Sequence, residues 1–336
     1  MWSFERTGLG EKFLEEGEDF HLENLSTEGL LMGRKQRTEL LAGLLAPRIS
    51  RHALLKGRTL EEILGKTPYT FNELAWTLKG QPTGTYFEQQ DKGPEHKPKI
   101  TYGGTEIFSG IWSSDTRDVI RLFCRMIDEV EGSLEDTLGK SRERIVPMNV
   151  QDKVLREAGG AFLNRRLPSA IPPTQQGVHH GSSDRSYGEH LCKIAKAFQQ
   201  IAEHELLTFT SMNEGKECPK QARRIEIVDT NKPLPDDLNE YYLGLLRYGV
   251  FFRDFRAKSV RKQVTSRLVL RGLLIPYFTL SPSRRDSVSM CWNDFCLLLK
   301  DPDRAATDWP TKRQLKKEEP QPYSTGQTYI DGLDTK

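Results

Sequence analysis

The sequence predicts a mainly α-helical protein with a small β component, whose last third has the element order of a winged-helix domain. Three observations predict this class. Apolar residues recur at helical spacing along much of the chain. The last third alternates helical and β-rich runs, and a basic segment separates its two long β-rich runs. With 336 residues, 36% of them hydrophobic, the chain is long enough for two or three domains.

The first 79 residues are predicted to form a helical N-terminal segment. Residues 34–64 show apolar residues at helical spacing, and because Pro47 interrupts this pattern, we predict two short helices there. Residues 80–106 are rich in glycine and proline and are predicted to be a loop that separates this segment from the next domain.

A helical domain is predicted over residues 107–168. Its clearest helix runs from Ser113 to Val130, where Ser114 or Asp115 can cap the free amides. A second helix is predicted over Asn149–Arg165, after Pro147. The first helix carries one apolar stripe, formed by Val119, Ile120, Phe123, Met126, Ile127 and Val130.

Residues 169–188 are predicted to be an exposed linker, because they are rich in proline, glycine and polar residues. His179 and His180 lie in this linker, but no further ligands follow at zinc-like spacing, so no metal site is assigned.

The winged-helix-like domain is predicted over residues 189–301, and residues 302–336 are predicted to be a disordered tail. The basic, aromatic-free segment RAKSVRKQVTS joins the two long β-rich runs and would form the wing. In chain order the elements are a helix over Glu189–Thr208, a strand over Arg223–Asp229, a helix over Asp236–Arg247, β-rich runs over Tyr248–Phe255 and Arg267–Phe278, and a short helix over Trp292–Lys300.

The charge is unevenly distributed although the net charge is only +2. Residues 1–30 carry eight Asp or Glu against two Lys or Arg, whereas residues 248–286 carry nine Lys or Arg against two Asp. Such clustering attracts the phosphate backbone of nucleic acid, although a solvated charged face is the alternative. The candidate DNA-binding residues are Arg253, Arg256, Lys258, Arg261, Lys262, Arg267, Arg284 and Arg285.

The cysteines and the N-terminus indicate a cytoplasmic protein that does not enter a membrane. The five cysteines are scattered and contain no CxxC pair, so we expect reduced thiols. No apolar run is long enough to span a bilayer, and the N-terminus is acidic where a signal peptide is basic and then apolar.

No catalytic motif is recognised in the sequence. The run GRTLEEILGKT ends like a phosphate-binding loop, but Leu60 stands where such a loop needs its first glycine. There is no GxSxG or HExxH motif, and no cysteine has a recognisable nucleophile context. We therefore assign no catalytic residue, and an enzyme with an unrecognised site stays a third alternative.

Two stretches resemble the C-terminal part of AAA+ ATPases of the origin-recognition type. SSDTRDVIRLFCRMID resembles their lid helix, and a longer stretch over residues 240–302 is similar to the C-terminal segment of bacterial members. Together they imply that Ile107 to Pro302 corresponds to a lid and a winged helix. The resemblance implies that Arg117 senses the γ-phosphate of a nucleotide, and an arginine suits this role because its guanidinium binds phosphate oxygens bidentately. Pairing of Arg117 with Asp118 or Glu131 is the alternative.

The sequence departs from that family because it shows no Walker A loop, Walker B strand or arginine finger before Ile107. We expect a fragment, a product of a split gene or a degenerate relative, which binds no cofactor by itself and meets ATP and Mg²⁺ only with a complementary ATPase module. The expected partners are double-stranded DNA and an ATPase module or other protein subunit. The competing hypothesis is a protein-interaction module without DNA binding.

Overall fold

The computed structural model describes residues 34–90, 99–112, 116–130, 144–172, 185–208, 222–228, 233–253, 259–260, 263–264, 266–283 and 286–318. These residues form a mainly helical protein with a four-strand mixed sheet in its C-terminal half. The predicted class, mainly α with a small β component, is confirmed.

The N-terminal helices are α1 (Arg34–Arg51), α2 (Leu60–Leu64), α3 (Phe71–Leu78) and α4 (Thr85–Glu88). The prediction that Pro47 separates two helices was wrong, since Pro47 lies inside α1. Proline removes one backbone hydrogen bond, but here it lies in the last turns, and the buried residues Leu41, Leu45 and Ile49 hold the helix on the core from both sides of it.

The next two helices, α5 (Thr105–Ile111) and α6 (Thr116–Asp128), form the centre of the helical half. The predicted apolar stripe of α6 is confirmed. Val119, Phe123 and Met126 are buried, as is Val130 just beyond the helix, whereas Ile120 is half-buried. The predicted capping residues Ser114 and Asp115 lie outside the described residues.

Helix α7 (Met148–Ala161) begins after Pro147 as predicted, and it continues into a π-helical turn over Phe162–Arg166. Gly159 allows a close approach to the following half of the chain, because a Cβ there would lie 2.6 Å from the carbonyl oxygen of Leu273. Helix α8 (Arg185–Leu207) agrees with the predicted helix and begins four residues earlier. His179 and His180 lie outside the described residues.

The sheet contains β1 (Ala222–Val228), β2 (Phe251–Arg253), β5 (Ser266–Leu270) and β6 (Asp286–Cys291), in the order β2-β5-β1-β6. Strand β5 runs antiparallel to both β2 and β1, whereas β6 runs parallel to β1. In this register Leu268 lies opposite Ile225, and Val288 lies beside Ile225 on its other edge. Strand β6 was not predicted from the sequence.

Helix α9 (Asp236–Arg247) lies between β1 and β2 in the chain and has the predicted bounds. Between β2 and β5, two short strands, β3 (Ser259–Val260) and β4 (Gln263–Val264), pair with each other in a separate antiparallel ribbon.

Two predictions for the C-terminal part were wrong. The β-rich run predicted over Arg267–Phe278 ends as a strand at Leu270, and α10 (Leu274–Phe278) follows. Residues from 302 onward were predicted to be disordered, but after α11 (Trp292–Lys300) the structure has α12 (Pro302–Glu318). Residues 319–336 lie outside the described part.

The predicted helical domain and the predicted winged-helix-like domain share one hydrophobic core, which includes buried residues from α1 to α12. Polar contacts also join the two halves. The Tyr102 hydroxyl donates to the Leu280 carbonyl oxygen at 2.6 Å, and Arg156 Nη1 donates to the Pro276 carbonyl oxygen at 2.8 Å. The described halves are therefore packed as one body.

Candidate nucleic-acid interface

The basic segment predicted to form a wing is the connection between β2 and β5. Its short ribbon places Ser259 opposite Val264 and Val260 opposite Gln263. Four candidate cations belong to this connection in the sequence, namely Arg256, Lys258, Arg261 and Lys262, and they lie outside the described residues. Arg284 and Arg285, just before β6, also lie outside them.

Arg253 ends β2 and is exposed at the start of this connection. Its Nε donates to the Tyr242 hydroxyl at 3.1 Å, and its guanidinium carbon lies 5.4 Å from the centre of the Tyr242 ring. A cation on an aromatic face is held in place without losing its charge. Arg253 is therefore a positioned cation beside the basic segment, on the surface.

Arg267 differs from Arg253, the other predicted DNA-binding residue that the structure describes, because it is buried in the sheet. Its side chain is only 9% exposed, and its Nη2 donates to Glu226 Oε1 at 2.6 Å. Ser287 Oγ donates to the other oxygen of Glu226 at 3.1 Å. A buried, carboxylate-bound guanidinium is poorly placed to bind phosphate, so the geometry of Arg267 favours a structural role across β5, β1 and β6.

Arg117, the predicted nucleotide sensor, lies exposed in the first turn of α6. The neighbouring Asp118 forms an ion pair with Arg271, in which both side chains are largely buried, at 17% and 6% exposure. The alternative partner Glu131 lies outside the described residues. Arg117 is thus exposed to solvent, whereas the adjacent Asp118 is bound to Arg271 in the C-terminal half.

Arg271 connects several elements at this point. It directly follows β5, its guanidinium carbon lies 4.6 Å from the centre of the Phe162 ring, and its Nη1 donates to the Gly249 carbonyl oxygen at 3.4 Å. Through Arg271, the start of α6 is therefore connected to the end of β5 and to the turn between α9 and β2. Arg271 was not among the predicted site residues, because no local pattern distinguishes it among the nine basic residues of 248–286.

Arg223 is a second buried arginine that was not predicted from the sequence to have a role. Its Nη1 donates to the Gly110 carbonyl oxygen at 3.0 Å, and its Nε donates to the Leu270 carbonyl oxygen at 3.2 Å. Burial lowers the pKa of this guanidinium to about 9, helped by repulsion from Arg37 and Arg224, and the group still keeps its proton at neutral pH. Arg223 thus joins β1 to α5 and β5.

The run that resembles a phosphate-binding loop has a structural role. Thr59 and Glu62 form a capping box at the start of α2, in which Thr59 Oγ1 accepts from the Glu62 amide at 3.2 Å. Gly65 ends the helix with a φ of 75°, and Lys66 Nζ lies 3.4 Å from Glu61 Oε1. Thr67 Oγ1 donates to the Gly103 carbonyl oxygen at 3.1 Å. These contacts account for Gly65, Lys66 and Thr67 without a nucleotide.

The described residues contain no group of three or more His, Cys, Asp or Glu side chains that could hold a metal ion. Within the same part of the chain, no helix is both long enough and apolar enough to cross a bilayer. Comparison with protein-family models, with curated proteins and with solved structures finds no match to this chain.

Proposed function

We propose that this chain is the nucleic-acid-binding and regulatory C-terminal portion of an ATPase of the origin-recognition type, and that its winged-helix-like part binds double-stranded DNA. One observation carries this proposal. Three antiparallel strands lie in the order β2-β5-β1, and the basic connection with its β3–β4 ribbon lies between the two strands that a wing would join.

The charge of this connection gives the proposed interaction its energy. Arg256, Lys258, Arg261 and Lys262 lie close together in the sequence, and Arg253 is exposed at the first end of the segment. Cations that neutralise DNA phosphates release condensed counterions, which favours binding and makes it depend strongly on salt. The connection is therefore the proposed DNA contact, and Arg284 and Arg285 extend it.

The test compares two variants of the full chain by fluorescence anisotropy with a labelled duplex at low salt. One variant changes Arg256, Lys258, Arg261 and Lys262 to Ala. The matched control changes four exposed cations of the N-terminal segment to Ala, namely Arg51, Lys56, Arg58 and Lys66. Both variants lose four positive charges. A difference between their affinities for the duplex therefore shows that the position of the lost charges matters.

We expect the wing variant to bind the duplex at least ~10-fold more weakly than wild type, because it loses about four phosphate contacts. The control is expected to remain within about 3-fold of wild type, because its charges lie outside the proposed interface. Equal losses in both variants would contradict the assigned interface. If wild type binds no duplex at low salt, the competing protein-interaction module replaces this proposal.

Arg117 is proposed as the regulatory element. Its exposed position in the first turn of α6 suits contact with a nucleotide held by another polypeptide, and Asp118 fixes that turn against Arg271. A guanidinium can bind γ-phosphate oxygens bidentately and so distinguish the triphosphate from the diphosphate. ATP and Mg²⁺ would be supplied with the complementary ATPase module.

A further inference from the structure

The outward face of α9 is acidic at one end, apolar in the middle and basic at the other end. Asp236 and Asp237 are exposed in the first turn, and Arg247 is exposed in the last turn. Between them lie the half-buried Glu240 and Leu243, which is 40% exposed. Positions 236, 240, 243 and 247 follow one another at intervals of four, three and four residues, so these side chains share one face of the helix.

The opposite side of α9 is already packed against the protein. Leu238 and Leu245 are buried in the core, and the Tyr241 ring stacks on the Tyr187 ring of α8 with centroids 5.4 Å apart. These contacts fix the orientation of the helix and leave its outward face exposed among the described residues. A partner that binds α9 would therefore contact the outward face.

The charges at the two ends of this face form no ion pair within the described part of the chain. No described cation pairs with Asp236 or Asp237, and no described carboxylate pairs with Arg247. The guanidinium carbon of Arg247 lies 5.9 Å from the centre of the Tyr248 ring, a contact that positions the side chain and keeps its charge. Because its two ends have opposite charges, the face is complementary to a copy of itself turned end for end.

Exposed apolar side chains are concentrated at this place. The large hydrophobic side chains exposed among the described residues are those of Ile171, Leu207 and Leu243. Leu243 lies in the middle of the outward face of α9. Ile171 lies beside Tyr248, which directly follows the helix: the Ile171 amide donates to the Tyr248 hydroxyl at 2.9 Å, and that hydroxyl donates to the Ile171 carbonyl oxygen at 3.0 Å. Covering these side chains would remove apolar surface from water and so favour association.

We propose that the outward face of α9 is the contact between two copies of this chain, which pack with their α9 helices antiparallel about a two-fold axis. A two-fold axis brings the same surface of both copies together, so every contact occurs twice. Arg247 of each copy then faces Asp236 and Asp237 of the other, and the two Leu243 side chains lie near the axis. A parallel arrangement would bring like charges together, which repel. This surface differs from the proposed DNA contact, and the inference does not depend on DNA binding.

The size of the face predicts a weak, reversible dimer. A helix of 12 residues is about 18 Å long, so its outward face is smaller than the about 800 Å² per partner of a standard interface. Sedimentation velocity of the full chain between about 2 and 200 µM tests the association. Wild type is expected to change from monomer to dimer across this range. A wild-type monomer at about 200 µM would overturn the inference and leave the proposed DNA contact unaffected.

Two charge-reversed variants test the antiparallel arrangement, namely Arg247→Glu and Asp236→Lys/Asp237→Lys. All three side chains are exposed, so both variants should fold, and circular dichroism checks this. Each variant alone would place like charges opposite each other twice, so it is expected to dimerise at least ~10-fold more weakly than wild type. An equimolar mixture of the two restores opposite charges at both ends and is expected to form heterodimers about as strongly as wild type dimerises.

The matched control is Arg51→Glu, which makes the same substitution at an exposed position in the last turn of α1. It is expected to dimerise within about 2-fold of wild type, because its charge lies outside the proposed contact. Dimerisation that is equally weakened in this control, or a mixture of the two reversed variants that stays monomeric, would overturn the inference.

Discussion

The ion pair between Asp118 and Arg271 is the clearest single contact between the two halves of the molecule. Both side chains are largely buried. Removing one member of such a pair leaves the other charge in a medium that solvates it poorly. The pair also lies one residue from Arg117, so it holds the proposed sensor in position relative to β5.

We predict that Asp118→Asn lowers the free energy of unfolding by about 3 kcal/mol or more, because Arg271 is left buried without its carboxylate. Urea denaturation measures this change. Asp128→Asn is the control on the same helix, where the carboxylate is exposed, and it should change stability by less than about 0.5 kcal/mol. Similar values for the two variants would show that the pair contributes nothing.

The acidity of the Cys192 thiol is controlled by its burial. Its side chain is 7% exposed, and its Sγ donates to the Leu163 carbonyl oxygen at 3.1 Å. Burial raises the pKa of this thiol to about 11. Between about pH 8.5 and pH 11 the Cys192 thiol is therefore protonated in the native state but ionised in the unfolded state. Through this group, the stability of the protein falls as the pH rises across that range.

We predict that iodoacetamide modifies Cys192 in native protein at pH 8 at least ~10-fold more slowly than in urea, because the thiolate is the reacting form. Peptide mapping by mass spectrometry follows the modification. Equal rates in the two conditions would mean that the Cys192 region opens freely in the native state.

At the scale of the elements, α12 is the largest difference between the sequence prediction and the structure. The composition of the tail indicated disorder, yet the first residues carry helix signals. Asp301 Oδ1 accepts from the Arg304 amide at 3.1 Å, as a capping residue does, and Pro302 is the first helical residue. Ala305 and Trp309 follow at helical spacing, and both are buried.

We predict that Trp309→Ala destabilises the protein by about 3–5 kcal/mol, because a buried aromatic side chain is removed. The indole Nε1 also donates to Glu205 Oε1 on α8 at 2.9 Å. Thr311→Ala, at an exposed position of the same helix, is the control and should cost less than about 0.5 kcal/mol. If Trp309→Ala behaves like this control, α12 is not docked on α8 in solution.

Five helices, α6, α7, α8, α9 and α11, and strand β1 could be predicted because their signals are local. The predicted bounds of α9, which begins after Pro235, and of α11 agree with the structure. In β1, Arg223, Ile225 and Ile227 are all buried, so strand alternation places the arginine on the inner face. The strand predicted through Phe278 failed because Pro276 cannot donate to a ladder, a signal that argued against a strand from the outset.

The candidate site could be predicted only in part, because its decisive contacts join residues far apart in the chain. The basic connection is visible as a cluster of charges in the sequence. The pairing of Arg267 with Glu226, and that of Arg271 with Asp118, depends on sheet order and helix packing instead. Charge composition therefore identifies the segment but cannot distinguish its surface cations from its structural ones.

For the whole molecule, the continuous core and the uneven charge have different consequences. One core from α1 to α12 means that a change near Arg117 can reach β5 through packed elements.

The net charge of only +2 gives little general attraction for DNA, so binding must depend on the local basic connection. The salt dependence of binding distinguishes phosphate contacts of this connection from a weak attraction by the net charge of the whole protein.

The most direct test of the proposed function is the dependence of duplex affinity on salt between 50 and 200 mM. The logarithm of the association constant of wild type should fall with the logarithm of salt concentration with a slope of about −4, as about four phosphate contacts require. The variant with Arg256, Lys258, Arg261 and Lys262 changed to Ala should lose most of that slope. No duplex binding at the lowest salt, or the same slope in the variant, would contradict the account.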